Sequence, residues 1–154
     1  MRISAAHPLL ALAAGLLLFV APPARAGVEV GLAWVDEVDG VSSEAVMVGW
    51  LTDARHPWEF MAGHIRGRSD ARLSTPSVNF LAVSKRFTWR GWFAQGGVAL
   101  TDSDTEVLSR YGQFMTGVGY RFNDRVALSL RHLSNANSGG RNRGENLLIL
   151  QVGF

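Results

Sequence analysis

The run FMTGVGYRFNDRVALSLRHLS, residues 114–134, decides the fold. Side chains two apart in a β-strand share a face, and Phe114, Thr116, Val118, Tyr120 and Phe122 make one such stripe. Val126, Leu128 and Leu130 make the next, after a short connection at Asn123-Asp124. The opposite faces carry Gly117, Gly119, Arg121 and Ser129, which are small or polar. The second stripe then runs into His132 and Ser134, while Arg131 stays with Ser129. A histidine and a serine at the end of an apolar stripe are out of place unless chemistry is done there.

Working outward, the same period recurs in eight segments, near 28–37, 43–52, 57–66, 77–87, 91–101, 110–122, 125–134 and 145–154. It is clear in the first (Val28, Val30, Leu32, Trp34) and muddy in the third, where Trp58 and Phe60 but also Met61 and Ile65 are apolar. Beyond Gly27 no stretch has a helical period, and none approaches the ~20 apolar residues of a membrane helix. The connections alternate: 52–56, 88–90 and 123–124 are short, whereas 38–42, 67–76, 102–109 and 135–144 are longer and rich in Gly, Ser, Asp and Asn. Short turns at one end, long loops at the other and an even strand number predict an all-β fold, an eight-stranded antiparallel outer-membrane barrel. Its narrow interior is filled by side chains, which suits the small and polar faces. Trp34, Trp50, Trp58, Trp89 and Trp92 lie towards segment ends, where aromatic girdles belong. A soluble β-sandwich or lipocalin-like barrel, with its stripes turned inward, would need a better solvated second face than Gly and Ala provide.

Residues 1–26 read as a cleaved export signal: Arg2, an apolar core from Leu9 to Val20, and Ala24-Arg25-Ala26 before Gly27. Its removal from the 154-residue chain leaves a single barrel over 27–154. Arg2 and Arg25 leave with it, so the 15 Lys and Arg fall to 13 against 13 Asp and Glu. A neutral mature chain gives no ground for a nucleic-acid partner. With no cysteine, an exported chain has no disulfide framework and is held by packing and pairing alone.

With the N-terminus on the periplasmic side, odd strands run outward, so His132 and Ser134 fall near the outer rim. The last segment returns from there, with Asn146 on the stripe of Leu148, Leu150, Val152 and Phe154 and Glu145 on the other face. Polar side chains on a lipid-facing wall are expensive and read as functional. Histidine titrates in the range needed to take a proton from serine. A third group then fixes the histidine's tautomer, and here it is Asn146, with Glu145 as the alternative. The loop 135–144 supplies amides and backbone N–H groups for a developing oxyanion.

Export signal, eight strands, Arg131-His132-Leu133-Ser134-Asn135-Ala136 and then Asn142-Arg143-Gly144-Glu145-Asn146 together resemble the lipid A 3-O-deacylase (PagL) family. The resemblance implies an outer-membrane serine esterase that removes the ester-linked 3-hydroxyacyl chain at position 3 of lipid A. Ser134 would be nucleophile and His132 the base, with Asn135 and Asn142 at the oxyanion. The family's third member is a glutamate; counting from His132 puts Asn146 in its place, with Glu145 adjacent. The implied partner is lipopolysaccharide in the outer membrane, with a homodimer left open and no cofactor or metal expected. Two other classes stand beside this reading: a non-enzymatic barrel for adhesion or membrane integrity, and an outer-membrane phospholipase, a larger calcium-dependent type.

Other residues carry weaker signals. His64 reads as a histidine packed or hydrogen-bonded in the wall. Asp102-Ser103-Asp104-Thr105-Glu106 has oxygen ligands at alternate positions but lacks a calcium loop's glycine turn, and reads as a solvated loop. Arg66, Arg68 and Arg72 are read equally as partners for lipid A phosphates or as a solubilising loop. Gly139-Gly140 reads as turn chemistry rather than a phosphate loop.

Overall fold

The computed structural model describes residues 27–71, 73–139 and 143–154. The expected export signal, Arg72, Gly140 and Asn142 lie outside the described residues. Eight strands close a barrel: β1 (Val28–Val38), β2 (Val41–Leu51), β3 (Trp58–Ile65), β6 (Val78–Trp89), β7 (Trp92–Thr101), β8 (Gly112–Arg121), β9 (Val126–Ser134) and β10 (Glu145–Gly153). Each pairs antiparallel with its neighbours in sequence, and β10 closes on β1. Between β3 and β6, β4 (Arg68–Ser69) and β5 (Ser74–Thr75) form a small hairpin. The fold is the all-β eight-stranded barrel read from the alternation.

Alternation sorts the side chains. Trp34, Val46, Val48, Trp50, Leu81, Leu100, Phe114, Val118, Leu130 and Leu148 stand exposed on the outer wall. At the short-turn end the aromatics touch one another, Trp92 on Tyr120 at 5.1 Å, Tyr120 on Phe122 at 5.2 Å and Trp50 on Phe60 at 5.6 Å between ring centroids.

The interior divides into two halves, which the expectation of small and polar residues did not foresee. Towards the loops it is apolar, with Val35, Ile65, Leu108, Met115, Leu133, Leu147 and Ile149 in one cluster. This is why the third segment is muddy: Met61 and Ile65 face inward and are as apolar as the outer wall. Towards the turns lies an ion network. Arg86 donates to Glu59 at 2.5 Å and Glu29 at 3.0 Å, Arg131 donates to Glu59 at 3.0 Å, and Arg121 reaches Glu29. Gln151 donates to Glu29 at 2.8 Å and accepts from Arg131 and Ser129. A buried charge is tolerated only with such partners.

Two readings of the loops are corrected. The first connection, expected to be long, is a two-residue turn: Asp39 and Gly40 have φ of 54° and 84°, a pair suited to a tight hairpin. Arg68 is neither a solubilising nor a phosphate-binding residue. It is buried, and its fork meets both oxygens of Glu145 at 2.5 and 2.9 Å. The β4–β5 hairpin folds inward, with Leu73 packed on Val38 and Val107, and this carries Arg68 away from solvent.

Candidate active site

His132 and Ser134 lie on the outward face of β9, just beyond Leu128 and Leu130. In the ladders His132 stands opposite Thr116 of β8 and Asn146 of β10, and Ser134 opposite Phe114. Both are half-buried. Ser134 is one step past the last β9–β10 pair, Leu133 with Glu145, so it sits where the wall gives way to loop.

His132 Nδ1 is 2.9 Å from Asn146 Oδ1. Asn146 in turn donates its side-chain Nδ2–H to Asp36 Oδ2 at 2.6 Å and its backbone N–H to Asp36 Oδ1 at 3.1 Å. An ionised carboxylate only accepts, so the amide nitrogen must face Asp36 and the amide oxygen must face His132. The ring nitrogen opposite that oxygen then carries the hydrogen, which leaves Nε2 with its lone pair for a hydroxyl. Three strands, β1, β10 and β9, thus hold one line: carboxylate, amide, imidazole.

Asp36 was not singled out in the sequence. Its signal was there, because it ends the stripe Val28, Val30, Leu32, Trp34 as His132 ends its own. What was missing is the closure of β1 on β10, which brings together residues 110 apart.

Glu145 sits on the other side of the wall. It is buried, and Arg68 occupies both of its oxygens. The same Arg68 donates to the backbone oxygen of Asp36 at 2.9 Å. Glu145 therefore anchors the strand end that presents Asp36 and does not reach His132.

Asn135 also faces inward and is fully buried. Its Nδ2 donates to Ser109 O, Ser109 Oγ and Gly139 O at 3.0, 3.0 and 2.7 Å, while its Oδ1 accepts from the Asn137 N–H at 2.9 Å. The expectation of an oxyanion amide is not what its side chain does here: it ties the loop after Ser134 to the loop before β8. Ala136 and Asn137 follow with φ of 51° and 61°, two successive residues in the left-handed region.

Gly144 is the other residue passed over. Its φ is +72°, and a Cβ built on it would lie 2.5 Å from His132 Cε1 and 3.0 Å from Nε2. The bare backbone is thus packed against the working edge of the ring. Gly144→Ala is expected to leave the barrel folded and push the imidazole off Ser134. A misplacement of about 1 Å can cost on the order of 100-fold in rate, and assay of ester hydrolysis per folded barrel checks it.

The remaining candidates lie elsewhere. His64 is in the β3 wall, bonded to Asn79 at 2.7 Å. Arg66 is exposed, with Glu44 at 3.9 Å. In the loop after β7, Asp104 accepts from the Arg110 N–H and Thr105 Oγ1 from the Leu108 N–H, at 3.1 and 2.9 Å, so its oxygens hold its own turn.

Among protein families, the one described as lipid A 3-O-deacylase (PagL) matches residues 25–154. No curated protein matches the chain.

Proposed function

The chain belongs to the lipid A 3-O-deacylase (PagL) family, and from that premise we propose that it is an outer-membrane serine esterase that hydrolyses the 3-hydroxyacyl ester at position 3 of lipid A. The observation that carries the proposal is the Asp36–Asn146–His132 line, ending beside Ser134 on the outer wall of a barrel. A wall of exposed Val, Leu, Phe and Trp is stable against lipid rather than water. On this reading the loop end faces out, and the site opens at the level of the outer leaflet.

The chemistry runs as an acyl transfer to serine and then to water. Ser134 Oγ attacks the ester carbonyl as His132 Nε2 takes its proton. The tetrahedral oxyanion is held by donors of the loop 135–144. Asn142 keeps the oxyanion role that the family implies, and Asn135 serves by holding that loop. The imidazolium gives its proton to the departing sugar oxygen, which leaves an acyl-Ser134. Water, deprotonated by His132, then releases the 3-hydroxy fatty acid and restores the serine. Asn146 holds the tautomer, and Asp36 supplies the negative charge that an amide lacks.

Below His132 a groove of about 430 Å³ runs down the wall between Trp92, Val118, Tyr120, Leu128, Leu130 and Leu148. It is the proposed bed of the acyl chain. The test is mass spectrometry of purified lipid A incubated with the protein in detergent. Loss of one 3-hydroxyacyl chain with release of the free acid is expected. Hydrolysis of phospholipid acyl esters with lipid A untouched would move the assignment to the phospholipase class.

A further inference from the structure

The wall carries a second line of the same composition. His64 Nδ1 is 2.7 Å from Asn79 Oδ1. Asn79 donates its Nδ2–H to Asp102 Oδ2 at 2.6 Å and its backbone N–H to Asp102 Oδ1 at 2.8 Å. Every bond has its counterpart in the His132–Asn146–Asp36 line, down to the aspartate that takes both the amide and the backbone N–H of one asparagine. The registers match too: His64 faces Asn79 across β3–β6 as His132 faces Asn146 across β9–β10. β3, β6 and β7 are the third, fourth and fifth strands of the barrel, whereas β9, β10 and β1 are the seventh, eighth and first. The two lines are four strands apart, on opposite sides and at the same end.

They differ in one respect. Two residues past His132 on the same face stands Ser134, but two residues past His64 stands Arg66. The second line has an imidazole held in the same way but has no nucleophile, so it does not cleave esters through an acyl-serine. In place of the hydroxyl it has a guanidinium that is 73% exposed and only loosely paired, with Glu44 at 3.9 Å. Hydrogen bonds from Asn79 hold the Asp102 carboxyl below its ordinary range, so the back of the line is an anion that favours a proton on His64. Beside His64 lies a groove of about 690 Å³ floored by Val46, Val48, Leu81 and Leu100, within the size of ordinary ligand sites. Cationic groups at the rim and an apolar trough below match a phosphate carried on acyl chains, since an arginine fork fits phosphate oxygens.

We propose that the His64–Asn79–Asp102 line with Arg66 and the adjoining groove is a second lipid site, which binds a phosphorylated, acylated lipid of the outer leaflet without hydrolysing it. Binding there is independent of turnover at Ser134.

The experiment is native mass spectrometry of the full barrel in detergent, as Ser134→Ala so that lipid stays intact. The probes are bisphosphorylated lipid A, the same lipid with both phosphates removed, and inorganic phosphate. Two bisphosphorylated lipids per chain are expected at saturation. One is expected when Arg66→Ala or His64→Gln is added, with heat-dependent gel mobility reporting the intact barrel. In a chain that keeps Ser134, either substitution should leave the hydrolysis rate unchanged. A single lipid per chain in Ser134→Ala would overturn the proposal. So would equal filling of the second site by dephosphorylated lipid, or its filling by inorganic phosphate alone.

Discussion

Ser134→Ala and His132→Ala are each expected to reduce ester hydrolysis to the residual level of a barrel that binds substrate and polarises its carbonyl. The two side chains act on one proton, so removing either removes the same step. In serine hydrolases generally such losses reach about a millionfold, and removing a second member adds little. Ser134→Ala/His132→Ala should therefore be no slower than the slower single variant. Neither residue supports the fold: both are half-buried on the outer face, away from the ion network that fills the barrel. The heat-resistant barrel should survive in all three proteins, which separates chemistry from folding. Release of 3-hydroxy fatty acid from purified lipid A is the measurement. Retained activity in Ser134→Ala would remove the serine esterase reading, and a double variant much slower than either single one would mean that the two do not share a step.

The barrel was legible because alternation is local. Phe114, Val118 and Tyr120 against Gly117 and Gly119 declare a strand and its faces without knowledge of the neighbours. The pattern blurred where the lumen is itself apolar, as at Met61 and Ile65, because period-2 contrast needs two unlike environments. The position of Asn146 on the outer stripe followed from the same period. Arg68 was misread for a different reason: it stands among Gly, Arg, Ser and Asp in a segment that looks solvated. Only the inward fold of β4–β5, which sets it on Glu145 of a distant strand, reveals a buried ion pair. Asp36 and Asp102 were hidden likewise. Each lies at the end of a strand whose neighbour in the line is fixed by ladder register, and register is not written in a single strand.

Asp36 and Asn146 should show opposite signs of dependence on each other. In the native chain Asp36 orients the Asn146 amide and lends it charge, so Asp36→Asn should slow turnover about tenfold, the worth of one charge-assisted hydrogen bond. Asn146→Ala removes the contact to His132 itself and should cost on the order of 100-fold, since the histidine then loses the group that fixes its tautomer. Asn146→Glu brings a carboxylate directly to the ring, but it also places two carboxylates within hydrogen-bond reach. Like charges that close raise one of the two pKa values, and a shared proton between residues 36 and 146 would weaken the pull on His132. Asn146→Glu alone should therefore be slower than Asn146→Glu/Asp36→Asn, in which Asp36's replacement raises the rate instead of lowering it. Glu145→Ala is the control for register. It strips a buried guanidinium of its only acid, a change that costs about 3–5 kcal/mol in stability, so it should appear chiefly as a lower melting temperature and much less in turnover per folded barrel. Steady-state hydrolysis of lipid A by these variants, normalised to folded protein, decides the matter. Additive effects of the Asp36 and Asn146 changes would sink the line of charge, and a folded but inactive Glu145→Ala beside a near-normal Asn146→Ala would make Glu145 the residue that orients His132.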